Sequence, residues 1–464
     1  MLSATKPLIS RNAVAEIVRG RQWHVAEIPA RSGFALANKY IFYAIFCLSI
    51  IAIMAFGGEP EWALLSLRLG AAGLFTFWLL AQINSGLKVQ GNQLLGPMLA
   101  FAALVAIQIL FGISVYRYAT ISAALQYVSC FLFFFLTVQC ANSKSALRNA
   151  AVIVTLFGFV LALFGIIQDL TSNGRIFWTV KPGPQAVVYG PYVNHNHYAG
   201  LMEMLTPIPL VMSLSSLYSS GKRTLFAFAA ILMASTIFLS GSRAGVLSFS
   251  IQLVLLTGVL IKTVRHRIPA VGGIALLIVA LVFWLGREET LTRISTLQHP
   301  TKEADFSTRL RIARDSMRMI EAKPWLGWGL NSFAVAYPQY RSFYSDLVVG
   351  HAHSDYVQLA VETGIAGLTL VIWFLVCLYR GRFQENRFWR YRGDCAVRLG
   401  ALVGCTGIVV HSLADFNMQI PANATFFFIL CALATTRASE SRVPEMKQYD
   451  ERDLGTPVEV LQAS

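Results

Sequence analysis

Residues 146–168 read ALRNAAVIVTLFGFVLALFGIIQ, an apolar run broken by a single charge at Arg148. A helix needs about 20 mainly apolar residues to cross the hydrocarbon core of a bilayer, and this run is long enough. Similar runs begin near Tyr40, Trp62, Leu94, Ile121, Asn196, Leu225, Gly245, Pro269, Tyr356, Ala396 and Pro421. The pattern predicts about 12 transmembrane helices, with the fourth, seventh and twelfth the shortest. Strand-like alternation is absent, so a membrane barrel does not compete. The composition agrees: 55% of the 464 residues are hydrophobic and 13% charged, and the mean hydropathy is +0.56. Soluble domains carry about 25% charged residues. The fold class is therefore all-α, a polytopic integral membrane protein.

A net charge of +14 would suggest nucleic acid in a soluble protein. Here its distribution matters more, because Lys and Arg in short loops orient membrane helices. Placing the N-terminus in the cytoplasm puts Lys88, Lys144, Arg148, Lys222, Arg223, Lys262, Arg265 and Arg267 inside, together with the dense run from Arg380 to Arg398. The short outside loops then hold Arg117, Arg175, Lys181 and Arg243. Both termini are expected inside, and no nucleic-acid partner is implied. The first 38 residues are polar and basic and lack a cleavage-site pattern, so the run from Tyr40 reads as a retained span. Within them, Asn12 to Ile28 could form an interfacial amphipathic helix. The seven cysteines suggest neither a disulfide framework nor a zinc pair.

The expected organisation is a cytoplasmic segment 1–38, spans one to nine over 39–285, and an external loop 286–355. Spans ten to twelve follow over 356–436, then a cytoplasmic tail 437–464. The loop is different in kind. Its 70 residues carry nine Lys/Arg and eight Asp/Glu, so it is nearly neutral and reads as folded. Helical periodicity runs from Ser307 to Ile320, with Leu310, Ala313, Met317 and Ile320 on one side. Pro324 stops that helix, and Gly327 and Gly329 follow as turn residues.

Five polar segments could carry chemistry. His351-Ala352-His353-Ser354-Asp355 enters span ten at its outer end and continues to Glu362-Thr363-Gly364. Ionisable groups there should face protein or a water-filled cavity rather than lipid. Histidine also suits proton transfer near neutral pH. The same two histidines could simply hydrogen-bond loop backbone. Their spacing of two points them to different sides of a helix, which weakens a metal reading. Ser242-Arg243-Ala244-Gly245 sits in a tight outer turn, where the arginine's planar fork could grip a pyrophosphate or merely sit at the interface. In the loop helix, Arg309 and Arg311 could do likewise or pair with Asp305 or Asp315, the reading preferred for Arg314 and Arg318. Asn194-His195-Asn196-His197-Tyr198-Ala199 opens span six, with Glu203 about two turns in and no partner evident. His411-Ser412-Leu413-Ala414-Asp415 closes span eleven. The topology places all five on one side of the membrane, which fits an anionic, membrane-embedded substrate.

Taken in order, these motifs resemble the O-antigen ligase and polymerase family of bacterial surface-glycan assembly. The matching elements are 194–199, 242–245, Ser307-Thr308-Arg309-Leu310-Arg311-Ile312, Lys323-Pro324-Trp325-Leu326-Gly327-Trp328-Gly329, and 351–354 with 362–364. The resemblance covers roughly residues 150 to 435. It implies a GT-C-like, metal-independent glycosyltransferase of the bacterial inner membrane, without cofactor, working on the periplasmic face. Its donor would be a glycan on undecaprenyl pyrophosphate and its acceptor a further glycan or lipid A–core. Carried over, His353 is the general base with His351 its neighbour, and Arg243, Arg309 and Arg311 bind the pyrophosphate. Asn194, Asn196, Glu362, His411 and Asp415 are possible pocket residues. Ligase is the preferred activity and repeat-unit polymerase the alternative. A non-catalytic transporter or flippase is the distant one, since Pro207 and Pro209 break span six with no counterpart in the other half.

Overall fold

The computed structural model describes residues 30–83, 89–183, 186–263, 301–344 and 348–436. Thirteen helices of eight or more residues lie among them. They are α1 Ala30–Met54, α2 Glu61–Ile83, α3 Leu95–Leu110, α4 Arg117–Cys140 and α5 Lys144–Thr171. Then come α6 His195–Leu205, α7 Pro207–Leu214, α8 Ser220–Leu239 and α9 Arg243–Thr263. The last are α10 Thr301–Ala322, α11 Asp355–Tyr379, α12 Gly393–His411 and α13 Pro421–Thr435. The described residues hold isolated β-bridges but no strand. Seven helices (α1, α2, α4, α5, α8, α11 and α12) are long and apolar enough to cross a membrane. Three further apolar stretches, α3, Arg243–Val259 within α9, and α13, accompany them. The chain is an all-α polytopic membrane protein. The ninth span expected from Pro269 lies outside the described residues, as do segments 1–29 and 437–464.

Two length expectations change. Span four is full length, because Arg117 to Thr120 already belong to α4 and place its start before the apolar run. The shortest unbroken candidates are α3 and α13, with 16 and 15 residues. Span six is divided into α6 and α7 at Thr206. Pro207 and Pro209 lack the N–H that would continue the helical ladder, and Pro207 opens α7, where that N–H is not needed.

Helix α13 is buried along its whole length. Helix α12 is mostly buried and packs on α6, α7, α9 and α13. By contrast α2 exposes Trp62, Leu65, Leu69 and Leu80, as expected of a lipid-facing span. The polar helix ends are therefore carried on a dry, close-packed centre.

The loop helix α10 forms where periodicity predicts and stops before Pro324, but its buried face is another one. Leu310 and Met317 are exposed, while Ile312 and Met319 pack against Trp328, Phe333, Tyr337 and Val361. The true inner face is interrupted by Asp315 and Ser316, which hid it from an apolar count. The Asp315 carboxylate accepts from Tyr337 Oη at 3.1 Å and from Ser342 N at 3.0 Å, so the loop satisfies it internally. Its other oxygen faces Arg318 at 3.6 Å.

A glycine joint fastens this loop to α11. Trp328 N and Gly329 N donate to the carbonyls of Val361 and Glu362, while Ile365 N and Ala366 N donate to those of Pro324 and Trp325. The backbones approach so closely that a Cβ on Gly327 would overlap the Glu362 carbonyl, and one on Gly364 the Trp325 carbonyl. Gly364 also adopts φ 66°, ψ −165°, a region that only glycine enters readily. Gly364→Ala is expected to cost at least about 2 kcal/mol of stability, read as a lowered unfolding temperature in detergent. An unchanged melt would refute the joint.

Candidate active site

Four of the five polar segments meet around the turn 411–419, and the fifth, at Arg243, is tied to them through α6. Asp355, the first residue of α11, is buried there. Its carboxylate accepts from Ser412 Oγ at 2.7 Å and Met418 N at 3.0 Å, and its N–H donates to the carbonyls of Ser412 and Asp415. An acid in the first turn is favourable beside the unpaired N–H groups of a helix start. Tyr356 Oη adds a bond to Val409 O at 2.8 Å. The mouth of α11 is thus stapled to the end of α12.

Phe416 is the hub of the turn. The His351 ring stacks on it with centroids 4.1 Å apart and planes within 12°. His353 and His197 meet it edge-on at 5.5 and 4.8 Å. His353 has φ 55°, the left-handed region that non-glycine residues enter rarely and mostly at functional sites. His351 Nδ1 lies 3.2 Å from Gln358 Oε1, which also accepts from Ala352 N. Gln358 Nε2 in turn donates to Glu362 Oε1 at 3.1 Å. With both flanks of the amide fixed, Gln358 presents its oxygen to His351. His351 Nδ1 therefore carries the proton and leaves Nε2 as the basic nitrogen. Burial holds the His351 pKa below the ordinary histidine value.

The loop helix α10 reaches the same turn. Arg309 Nη1 donates to Ala414 O at 3.3 Å. The turn that begins α9 with exposed Arg243 is held to α6 through His195 Nδ1 and Ser240 O, 2.6 Å apart. Gly245, one turn into α9, lies against Ala199 and the Glu203 carboxylate, where a Cβ would come within 2.8 Å of Ala199 Cβ. The partner of Glu203 is His411, with Oε1 and Nδ1 2.8 Å apart and both side chains fully buried. Asp415 is also buried, 4.0 Å from His197 Nε2, and accepts from Phe416 N at 2.8 Å.

The remaining candidates sit elsewhere. Arg311 lies over the Phe343 ring at 4.9 Å and reaches Thr308, on a different face of α10 from Arg309. Asn194 caps α6 by accepting from Asn196 N. Glu362 spends its carboxylate on Asn331 N, Phe333 N and Gln358, so it shapes the loop. Among the described residues, no group of three or more His, Cys, Asp or Glu could hold a metal ion. Two members of the cluster were not anticipated. Phe416 looks like core from sequence, and Gln358 is one polar residue in an apolar run. Only its spacing, seven residues after His351 and four before Glu362, could have pointed to it.

Residues 228–372 match the family described as O-antigen ligase. That interval contains Arg243, the loop helix, both loop histidines and the glycine joint. No curated protein matches the chain.

Proposed function

We propose, from the match of residues 228–372 to the family described as O-antigen ligase, that the chain transfers a glycan from undecaprenyl pyrophosphate to an acceptor hydroxyl. The reaction would occur on the periplasmic face of the inner membrane, with lipid A–core as the preferred acceptor. The observation that carries this reading is the meeting of His351, His353 and Arg309 on the single turn that carries Ala414 and Phe416.

In this scheme His353 takes the proton of the acceptor hydroxyl as its oxygen attacks the anomeric carbon. The bond from that carbon to the pyrophosphate oxygen breaks, and the pyrophosphate leaves with the bond's electron pair. Charge grows on the leaving group in the transition state, and fixed cations aimed there lower the barrier. Arg309 reaches the turn from α10 and Arg243 stands at the start of α9, so two independent elements would hold one leaving group. Asp355 and the Gln358–Glu362 pair hold the histidine segment still, which is what transfer between two large substrates requires.

The test is complementation of a strain lacking its surface-glycan ligase. Wild type should restore glycan on lipid A–core; single repeat units accumulating on loss of the native gene would instead mark a polymerase. Arg243→Lys keeps the charge and loses the fork. Transfer is expected to drop about tenfold or more, on the order of one charge-assisted hydrogen bond. Full activity in that variant would exclude bidentate binding.

A further inference from the structure

A second cavity opens beside His351. Its volume is about 140 Å³, and its polar walls are Arg68, Ser122, Gln126, Asn331, His351 and Gln419. Arg243, Arg309, His195, His197 and His353 do not line it. His351 therefore has one face on Phe416 and its edge on a chamber separate from the arginine side.

Arg68 is the unusual member. It sits two turns into α2, a helix long and apolar enough to cross the membrane. An arginine within a span is costly unless it serves a pathway or a ligand. Its Nη2 donates to Ser122 O at 2.7 Å and to Ser122 Oγ at 3.0 Å, which anchors the fork without neutralising it. No described carboxylate lies within ion-pair distance. Two buried polar atoms of the lining, Arg68 Nε and Gln126 Oε1, have no hydrogen-bond partner among the described groups. The cavity also shares Tyr127, Met418 and Gln419 with an apolar cleft of about 130 Å³ between α3, α4, α11 and α13. A polar chamber with a cation, continuous with an apolar cleft, fits an amphiphile.

We propose that this cavity binds the acceptor, a lipid-anchored oligosaccharide carrying an anionic substituent, with Arg68 gripping the anion and His351 bordering the reactive hydroxyl. This rests on the transferase reading and adds the substrate class and its pocket. The glycan-side hydroxyls would be met by Gln126, Asn331 and Gln419. The donor and the acceptor would then reach the histidines from opposite sides of Phe416, as transfer between two lipid-linked substrates needs.

Binding can be measured without turnover. The full chain in phosphatidylcholine nanodiscs is titrated calorimetrically with phosphorylated core oligosaccharide released from lipopolysaccharide by deacylation. Arg68→Gln should weaken binding at least tenfold, Arg68→Lys less, and Arg243→Gln not at all. Phosphatase-treated oligosaccharide should bind wild type as weakly as the intact one binds Arg68→Gln. Where Arg68→Gln fails to fold, Gln126→Leu removes the unpartnered carbonyl and should weaken binding severalfold. Unchanged affinity in these variants, no binding by wild type, or equal loss in Arg243→Gln overturns the site. Competition by added phosphatidylglycerol would also overturn it, marking a bulk-lipid site. Wild type that binds but transfers to no acceptor supports the site and overturns only the transferase reading.

Discussion

His353→Asn is expected to lower glycan transfer by about 10²–10⁴-fold, the usual contribution of a positioned general base, while the protein still folds. Asparagine is the informative choice because His353 holds φ 55°. Asn tolerates the left-handed region, whereas Ala would add backbone strain to the loss of the imidazole. The measurement is initial rate in nanodiscs, with size-exclusion behaviour as the folding control. His351 is the competitor, since its Nε2 is left basic by the Gln358 contact. The pH profile separates the two. A histidine with a lowered pKa keeps its neutral, basic form to lower pH, so an acid limb governed by His351 would fall below the ordinary value of about 6.5. His351→Asn should cost less than His353→Asn. A rate within tenfold of wild type for His353→Asn would move the base elsewhere, with His351 next in line.

The helices were legible because span length is a local property of the chain. The helices open within a few residues of the expected Trp62, Leu94, Ala146, Asn196, Gly245, Tyr356 and Pro421, and the two prolines break span six. Where polar residues carry packing, the reading failed: Asp315 and Ser316 lie on the buried face of α10, so an apolar count chose Leu310 and Met317. The candidate site was legible as segments that come together and not as an arrangement. Glu203 and His411 are 208 positions apart, and no local pattern records such a contact. Phe416 was invisible because aromatic residues are usually core. Arg68 carries a readable signal, a cation inside a span, which a count of charge by loop does not register.

The buried pair of Glu203 and His411 gives the largest expected change in stability. Removing one partner of a buried, hydrogen-bonded pair strands the other, at a cost of about 3–5 kcal/mol. Glu203→Leu and His411→Leu should each melt far below wild type. The double substitution should recover most of that loss, because an apolar pair of similar volume fills the space without a stranded group. The unfolding free energies of the four proteins form a cycle, and simple addition of the two single losses would show that the side chains are not coupled. The position of the pair predicts a second effect. Glu203 belongs to α6, His411 closes α12, and Gly245 of α9 rests on the Glu203 carboxylate. The pair therefore sets the Arg243 turn against the turn that carries Asp415 and Phe416. The double variant should be stable and yet transfer glycan at least tenfold more slowly, since misplacing one of two charges on a leaving group raises the barrier without unfolding the protein. Recovery of both stability and rate would make the pair only a packing device. Recovery of stability alone would identify it as the part that aligns the two halves of the site.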